Sequence, residues 1–336
     1  MKELRVLFRV DSGHKLGTGH LNQCLWFAKK TRINGLFCIK AHQKSEELIK
    51  YYGFPAVIIS RQENFREKEC AKISMAIREF EPEVIIFDMP NLSNAYLGKI
   101  HIGAAKVVAF SAIKWPVRAD LHFATVFTPL EANKQFFGPK YFLLREDFVG
   151  EKSVAVSSRV RNILILFGGG DPGNFTLKTL QALARIGDEV CVSIVLGGAF
   201  IFSGEIQAFL RNFNKPHRIF FDLKDARELI AIMKNSDLAI VSGGYTLCEL
   251  MHLGVPCIVL SQNSIEEKKI YPNFPEGNFV DLGRGEKISV KNLGESVENV
   301  MRDFRKRKTM SATGRVFIDG RGIDRVFKIV KHLCRN

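Results

Sequence analysis

The sequence holds no Cys-X-X-Cys pair and no cysteine–histidine spacing of the kind that grips zinc. Its seven cysteines, Cys24, Cys38, Cys70, Cys191, Cys248, Cys257 and Cys334, stand singly, most of them in apolar stretches where a thiol behaves as a small hydrophobe. That usage argues against a structural zinc and for a reducing compartment. No apolar run approaches the length of a bilayer span. The opening residues MKELRVLFRV are too short and too charged for a secretion signal, so the expected location is cytoplasmic. The Gly-Lys-Ser/Thr ending of a P-loop is missing, and so is the GxGxxG spacing of a nicotinamide-binding turn. No carboxylate pair or Asp-X-Asp motif offers a seat for a metal, and neither metal nor cofactor is expected.

What is present suits a soluble globular chain. Its 336 residues are long for one hydrophobic core and comfortable for two, with 46% apolar and 25% charged residues. Large side chains are at hand to fill those cores, since there are 27 phenylalanines. The net charge of +14 favours anionic partners: a nucleoside diphosphate, an acidic lipid surface or nucleic acid. The densest cationic run, Arg302, Arg305, Lys306, Arg307 and Lys308, reads as a solvated helix face. No RNA-binding signature with interleaved aromatics accompanies it, so nucleic acid is not expected. Peripheral contact with an anionic membrane stays open.

Two apolar runs open two similar programmes. Leu4–Val10 runs into Asp11-Ser12-Gly13, and Asn162–Phe167 runs into Gly168-Gly169-Gly170; each is followed by residues at helical spacing. A buried parallel strand, a glycine-rich turn and a helix is how an α/β domain begins. Further apolar runs at Leu36–Lys40, Ala56–Ile59, Val84–Asp88 and Lys106–Phe110 continue the alternation in the first half. Val190–Leu196, Ile219–Phe221, Leu238–Val241 and Cys257–Leu260 do so in the second. The polar segment 150–161 reads as a linker. The expected fold is α/β, two facing Rossmann-like doubly wound domains, residues 1–150 and 162–336. Ligands then lie beyond the C-terminal strand ends, in the cleft between the domains.

Three turns carry candidate chemistry. In the first, Asp11 to His20, Gly17 and Gly19 let backbone approach a ligand and His20 falls at the start of a helix. A histidine there titrates near neutrality and serves as base or acid; a glycine turn with an exposed capping histidine is the plain alternative. The second, Gly168-Gly169-Gly170, suits close approach of a phosphate or sugar. In the third, Ser242-Gly243-Gly244-Tyr245-Thr246, backbone N–H groups at a helix start suit a diphosphate, and Glu249 could accept the two hydroxyls of a ribose. A surface glutamate on an ordinary helix is the competing reading.

The blocks FRVDSGHKLGTGHLNQCLWFAKK, YFLLREDF, ILILFGGGDPGNFTLKTLQAL, VSGGYTLCELMHLGVPCIVLSQN and GRVFIDGRGIDRV follow one another along nearly the whole chain. In order and spacing they resemble the UDP-sugar hydrolase of pseudaminic acid biosynthesis and its spore-coat polysaccharide relatives. Those proteins have the glycosyltransferase-B fold and are related to the MurG-type transferases. The resemblance implies a C-terminal domain that holds UDP through Gly168, Gly169, Ser242, Gly243, Gly244, Thr246 and Glu249, with Gln262 and Asn263 in the next loop. It implies His20 as the base that activates water for attack on the anomeric carbon, with inversion there.

Three places depart from the pattern, all in the first half. Gln23 stands where an arginine is usual, Met89 and Pro90 follow the strand ending in Asp88, and Ser111 and Ala112 replace aspartates. Gln23 cannot reproduce a guanidinium's fixed charge, so substrate, acceptor or reaction is expected to differ. Hydrolysis of a UDP-linked amino or deoxy sugar is the leading expectation. An inverting glycosyltransferase using a UDP-sugar donor and a nucleotide-sugar-binding protein without turnover are the alternatives.

Overall fold

The computed structural model describes residues 3–11, 19–40, 42–60, 66–89, 91–110, 117–124, 135–264, 266–267 and 276–335. They form two compact units, the first made of residues 1–146 with 321–336 and the second of residues 147–320.

In the first unit the strands are β1 (Arg5–Val10), β2 (Asn34–Lys40), β3 (Ala56–Ile59), β4 (Val84–Asp88), β5 (Lys106–Phe110), β6 (Leu121–Ala124) and β7 (Gln135–Phe137). They pair in parallel in the order β3-β2-β1-β4-β5-β6-β7. The helices are α1 (Gly19–Thr31), α2 (Gln43–Tyr51), α3 (Arg66–Phe80) and the single turn α4 (Asn94–Leu97). The chain starts in the middle of the sheet, steps outward through β2 to β3, then returns to the other side of β1. A crevice opens at such a switch point beyond the strand ends, here between β1 and β4.

Side-chain alternation along each strand sorts residues onto two faces. Val6, Phe8 and Val10 of β1 and Val84 and Ile86 of β4 pack with Leu21, Cys24 and Leu25 of α1. On the opposite face Leu7, Ile85 and Phe87 pack with Cys70, Ile73 and Ile77 of α3. Strands buried on both faces need unbroken apolar runs, which is why β4 reads VIIF before its terminal aspartate.

The second unit repeats the scheme. Its strands β8 (Asn162–Leu166), β9 (Cys191–Leu196), β10 (His217–Phe221), β11 (Leu238–Val241), β12 (Cys257–Ser261) and β13 (Val280–Arg284) pair in parallel in the order β10-β9-β8-β11-β12-β13. Helices α5 (Phe175–Leu183), α6 (Ser203–Leu210), α7 (Ala226–Lys234), α8 (Tyr245–Leu253), α9 (Val290–Arg302) and α10 (Phe304–Phe317) accompany it. Its switch point lies between β8 and β11. Two doubly wound α/β units are therefore present, as the sequence led us to expect.

Two boundaries differ from the expectation. The last helix, α11 (Gly322–Leu333), belongs to the first unit rather than to residues 162–336, because Ile323, Val326 and Val330 complete the apolar face of α1 and β1. The 150–161 segment is part of the second unit: the Val154 N–H donates to the Leu253 carbonyl at 2.9 Å, and the Ser157 and Ser158 carbonyls accept from the Arg307 guanidinium. Arg307 also corrects the reading of the cationic run as a solvated face. It is fully buried and donates to the Val300 and Met301 carbonyls, the acceptors left open at the end of α9.

Candidate functional site

The switch point of the first unit is built from charged side chains. β4 ends on Asp88, paired in register with Val10, and Asp88 falls on the face that α1 covers. His20, second residue of α1, meets it: Nδ1 lies 2.8 Å from Asp88 Oδ1. Three residues on, the Gln23 side-chain amide donates to Asp88 Oδ2, and the Cys24 thiol reaches the same oxygen at 3.6 Å. Asp88 has no exposure and His20 retains 18% of its side chain, so the imidazole is the group of this cluster that reaches the surface. Burial pushes the His20 pKa down, but the charge and hydrogen bond of Asp88, joined by the charge of Asp11, outweigh it and hold it above the ordinary histidine value. With Nδ1 committed to a carboxylate, Nε2 is the nitrogen left for chemistry.

Asp11 is tied from the other face of the sheet. Arg9, fully buried on the α3 side, donates from Nη1 to Asp11 at 2.6 Å, from Nη2 to Glu69 at 2.6 Å and from Nε to the Tyr96 hydroxyl at 3.0 Å. Tyr96 in turn donates to Glu69 at 2.6 Å. Desolvating a guanidinium is costly unless it is paired and hydrogen-bonded, and each nitrogen of this one has an acceptor.

Gln23, expected as a substrate contact, is 1% exposed and its side chain is spent on Asp88. Asp88 is the partner of His20 that the sequence did not reveal. Its signal was present as a strand ending in a carboxylate, but its pairing with His20 depends on β4 lying beside β1. Met89 is buried. Gly17, Pro90, Ser111 and Ala112 lie outside the described residues.

The second unit's switch point is built from backbone. In the Gly168-Gly169-Gly170 turn, Gly168 takes a φ of +73°, a conformation only glycine adopts freely. Gly169 is packed so closely by Gly197 that a Cβ on Gly197 would fall on its Cα and carbonyl. The helix that follows, α5, is already closed: Asp171 accepts from the Phe175 and Thr176 N–H groups, each at 2.8 Å. The start of α8 is different. Its N-cap is Gly244 and no side chain caps it. Of the two helices at this switch point, α5 is the one that begins under a carboxylate, while α8 begins at a glycine.

Glu249, in the second turn of α8, is 6% exposed, which excludes the surface-glutamate reading. Ser242 is buried at the end of β11, and Tyr245 and Thr246 are half-buried. Gln262 and Asn263, expected to touch substrate, also brace the loop after β12. Gln262 donates its side-chain amide to the Phe167 carbonyl at 2.7 Å, tying this loop to the end of β8. Glu266 accepts from the backbone N–H groups of Gln262, at 2.7 Å, and Gly243, and its own N–H donates to the Asn263 side chain at 3.0 Å. Burial raises the Glu266 pKa against the opposing pull of those two N–H groups.

Among solved structures, MurG of Acinetobacter baumannii matches with a TM-score of 0.75 at 12% identity, over 98% of this chain and 100% of its own. HepE of Anabaena, solved with UDP-glucose, matches with a TM-score of 0.66 at 14% identity, over 98% and 99%. The chain has the glycosyltransferase-B fold. At such identities the likeness establishes the fold alone. Two relatives are similar in sequence. MJ1062, an uncharacterised protein of Methanocaldococcus jannaschii, is 27% identical over 91% of this chain and 68% of its own length. SpsG of Bacillus subtilis, a spore coat polysaccharide biosynthesis protein, is 25% identical over 96% and 97%. No protein-family model matches the chain. No helix among the described residues is long and apolar enough to cross a membrane.

Proposed function

We propose that the chain cleaves the anomeric bond of a UDP-sugar and passes the glycosyl group to an acceptor hydroxyl in the making of a surface polysaccharide, with His20 as general base. The observation that carries this is the His20–Asp88 pair at the first unit's switch point: a surface-reaching imidazole whose Nδ1 is held by a buried carboxylate at 2.8 Å. In such a pair the carboxylate fixes the tautomer and stabilises the imidazolium that forms. The nature of the relatives supports the substrate class. SpsG serves spore coat polysaccharide biosynthesis, and HepE, of the same fold, was solved with UDP-glucose.

In the reaction, Nε2 of His20 takes the proton of the acceptor hydroxyl as its oxygen bonds to C1. The bond from C1 to the diphosphate oxygen breaks, and its electron pair leaves with UDP. The positive end of α8 is suited to take the growing charge on the diphosphate. Glu249 accepts the ribose hydroxyls. A second reading, hydrolysis with water in place of the acceptor, is favoured by the GxGH turn and the block order shared with the pseudaminic acid hydrolase.

The test is incubation with a panel of UDP-sugars, with and without polysaccharide-derived acceptors, following UDP and sugar products by mass spectrometry. Transfer predicts UDP release that needs an acceptor and yields a glycoside; hydrolysis predicts free sugar without one. In either case His20→Ala is expected to lose about 10²–10⁴-fold in rate while keeping UDP affinity. UDP binding with no release under any condition would reduce the chain to a binding protein and sink both readings.

A further inference from the structure

Helix α10 has one side in the core and one side exposed. Arg307, Met310, Ser311 and Gly314 are buried, while Phe304, Arg305, Lys306, Lys308, Arg315 and Val316 are exposed. Steps of three and four from Phe304 and Arg305 to Lys308, Ala312, Arg315 and Val316 bring these onto one surface of the helix. The helix contains no aspartate or glutamate. Among the described residues, the side chains of Arg305, Lys306, Lys308 and Arg315 make no ion pair and no hydrogen bond. Flanking these cations are two apolar side chains, Val316 at 75% exposure and Phe304 at 37%, the latter with its ring 5.9 Å from the Arg307 guanidinium.

We propose that this face of α10 is a docking surface for a lipid bilayer rich in anionic headgroups. Charge alone would suit any polyanion. The aliphatic Val316 beside Arg315 decides for lipid, because an apolar side chain gains nothing against a phosphate–ribose backbone and gains by entering the acyl boundary. A helix lying in the interface plane with cations at headgroup level and apolar side chains just below them is the arrangement such binding uses. The proposal is independent of the nucleotide-sugar reading, since none of the residues assigned to that reaction lies on this face. Either can fail alone.

The test is co-sedimentation of the full chain with vesicles of phosphatidylcholine and of phosphatidylcholine with phosphatidylglycerol, at low and high salt. The wild type is expected to pellet with the anionic vesicles at low salt, to be released by high salt, and to ignore the neutral ones. Each cation near an anionic surface contributes roughly a fivefold gain in affinity, so R305Q/K306Q/K308Q/R315Q should lose more than about a hundredfold. F304S/V316S should bind several-fold more weakly at low salt. All six side chains are exposed, so the quadruple variant is expected to keep the wild-type unfolding midpoint and F304S/V316S to lose only the contact of the Phe304 ring with Arg307. The proposal is overturned if the wild type stays in the supernatant with anionic vesicles at low salt, or if the quadruple variant pellets like the wild type. It is overturned equally if F304S/V316S binds as the wild type does and both bind a short RNA duplex with the same salt dependence, which would make the face a general polyanion surface.

Discussion

The two sheets run the same course, out from a central strand to one edge and back across it, yet their switch points are furnished in opposite ways. In the first unit the crevice between β1 and β4 is lined by side chains, with His20 on Asp88, Gln23 bracing Asp88, and Asp11 held by the buried Arg9. In the second, the crevice between β8 and β11 is lined largely by main chain: the glycine turn at 168–170, the Ser242–Gly244 turn and the start of α8 at Gly244. A titrating side chain moves a proton, whereas a row of N–H groups holds negative charge without itself reacting. Topology supplies the place, and residue type decides which of the two it becomes.

Asp88→Asn breaks the comparison most severely on the side-chain half. An amide cannot hold the same His20 tautomer or stabilise its cation, so turnover is expected to fall about 10²–10⁴-fold with UDP affinity unchanged. The variant also tests the electrostatics. His20 is raised above its ordinary value, so the stability it contributes is full below the histidine range and is lost as pH climbs through the raised midpoint. The stability deficit of Asp88→Asn should therefore be larger at mildly acidic pH than at pH about 9, by urea denaturation. Histidine NMR should show the His20 midpoint moving down. An unmoved midpoint would mean that the 2.8 Å contact does not govern the imidazole.

Gly197→Ala strikes the main-chain half. The added methyl falls on the Gly169 backbone, and relieving such overpacking costs about 1–3 kcal/mol. The turn at 168–170 must shift, so UDP affinity is expected to fall along with the urea midpoint, while the His20 titration stays where it was. Calorimetry with UDP checks this. Unchanged affinity would show that the glycine turn serves only the packing of the second unit.

What could be read in advance follows the same division. Strands of four to six residues are continuous apolar runs here, and Ala56–Ile59, Val84–Asp88, Lys106–Phe110 and Leu238–Val241 were placed to the residue. The short strands β6 and β7 lack such runs. His20 was singled out from its turn, but Asp88 was not joined to it, because 68 residues separate them and the strand order that brings them together is a tertiary fact. Arg307 looked like its cationic neighbours; its burial comes from the open carbonyls at the end of α9. The glycines at 168–170 were marked for ligand approach, and the structure gives two of them internal reasons, a positive φ and the contact with Gly197.

Asp171→Ala gives the smallest effect and the sharpest separation between the two helix starts of the second unit. Asp171 closes α5 by accepting two N–H groups, and its loss leaves both without a side-chain partner, at a cost of about 1–2 kcal/mol. If the diphosphate belongs to α8 alone, the variant should unfold at lower urea yet bind UDP as the wild type does. Were Asp171 instead keeping ligand anions away from α5, its removal would open a second row of donors at the same switch point, and UDP or inorganic phosphate would bind more tightly. Binding isotherms of wild type and variant, taken well below the unfolding transition, distinguish the two. Tighter binding in the variant would move the anion site from the Ser242–Gly244 turn to the glycine turn.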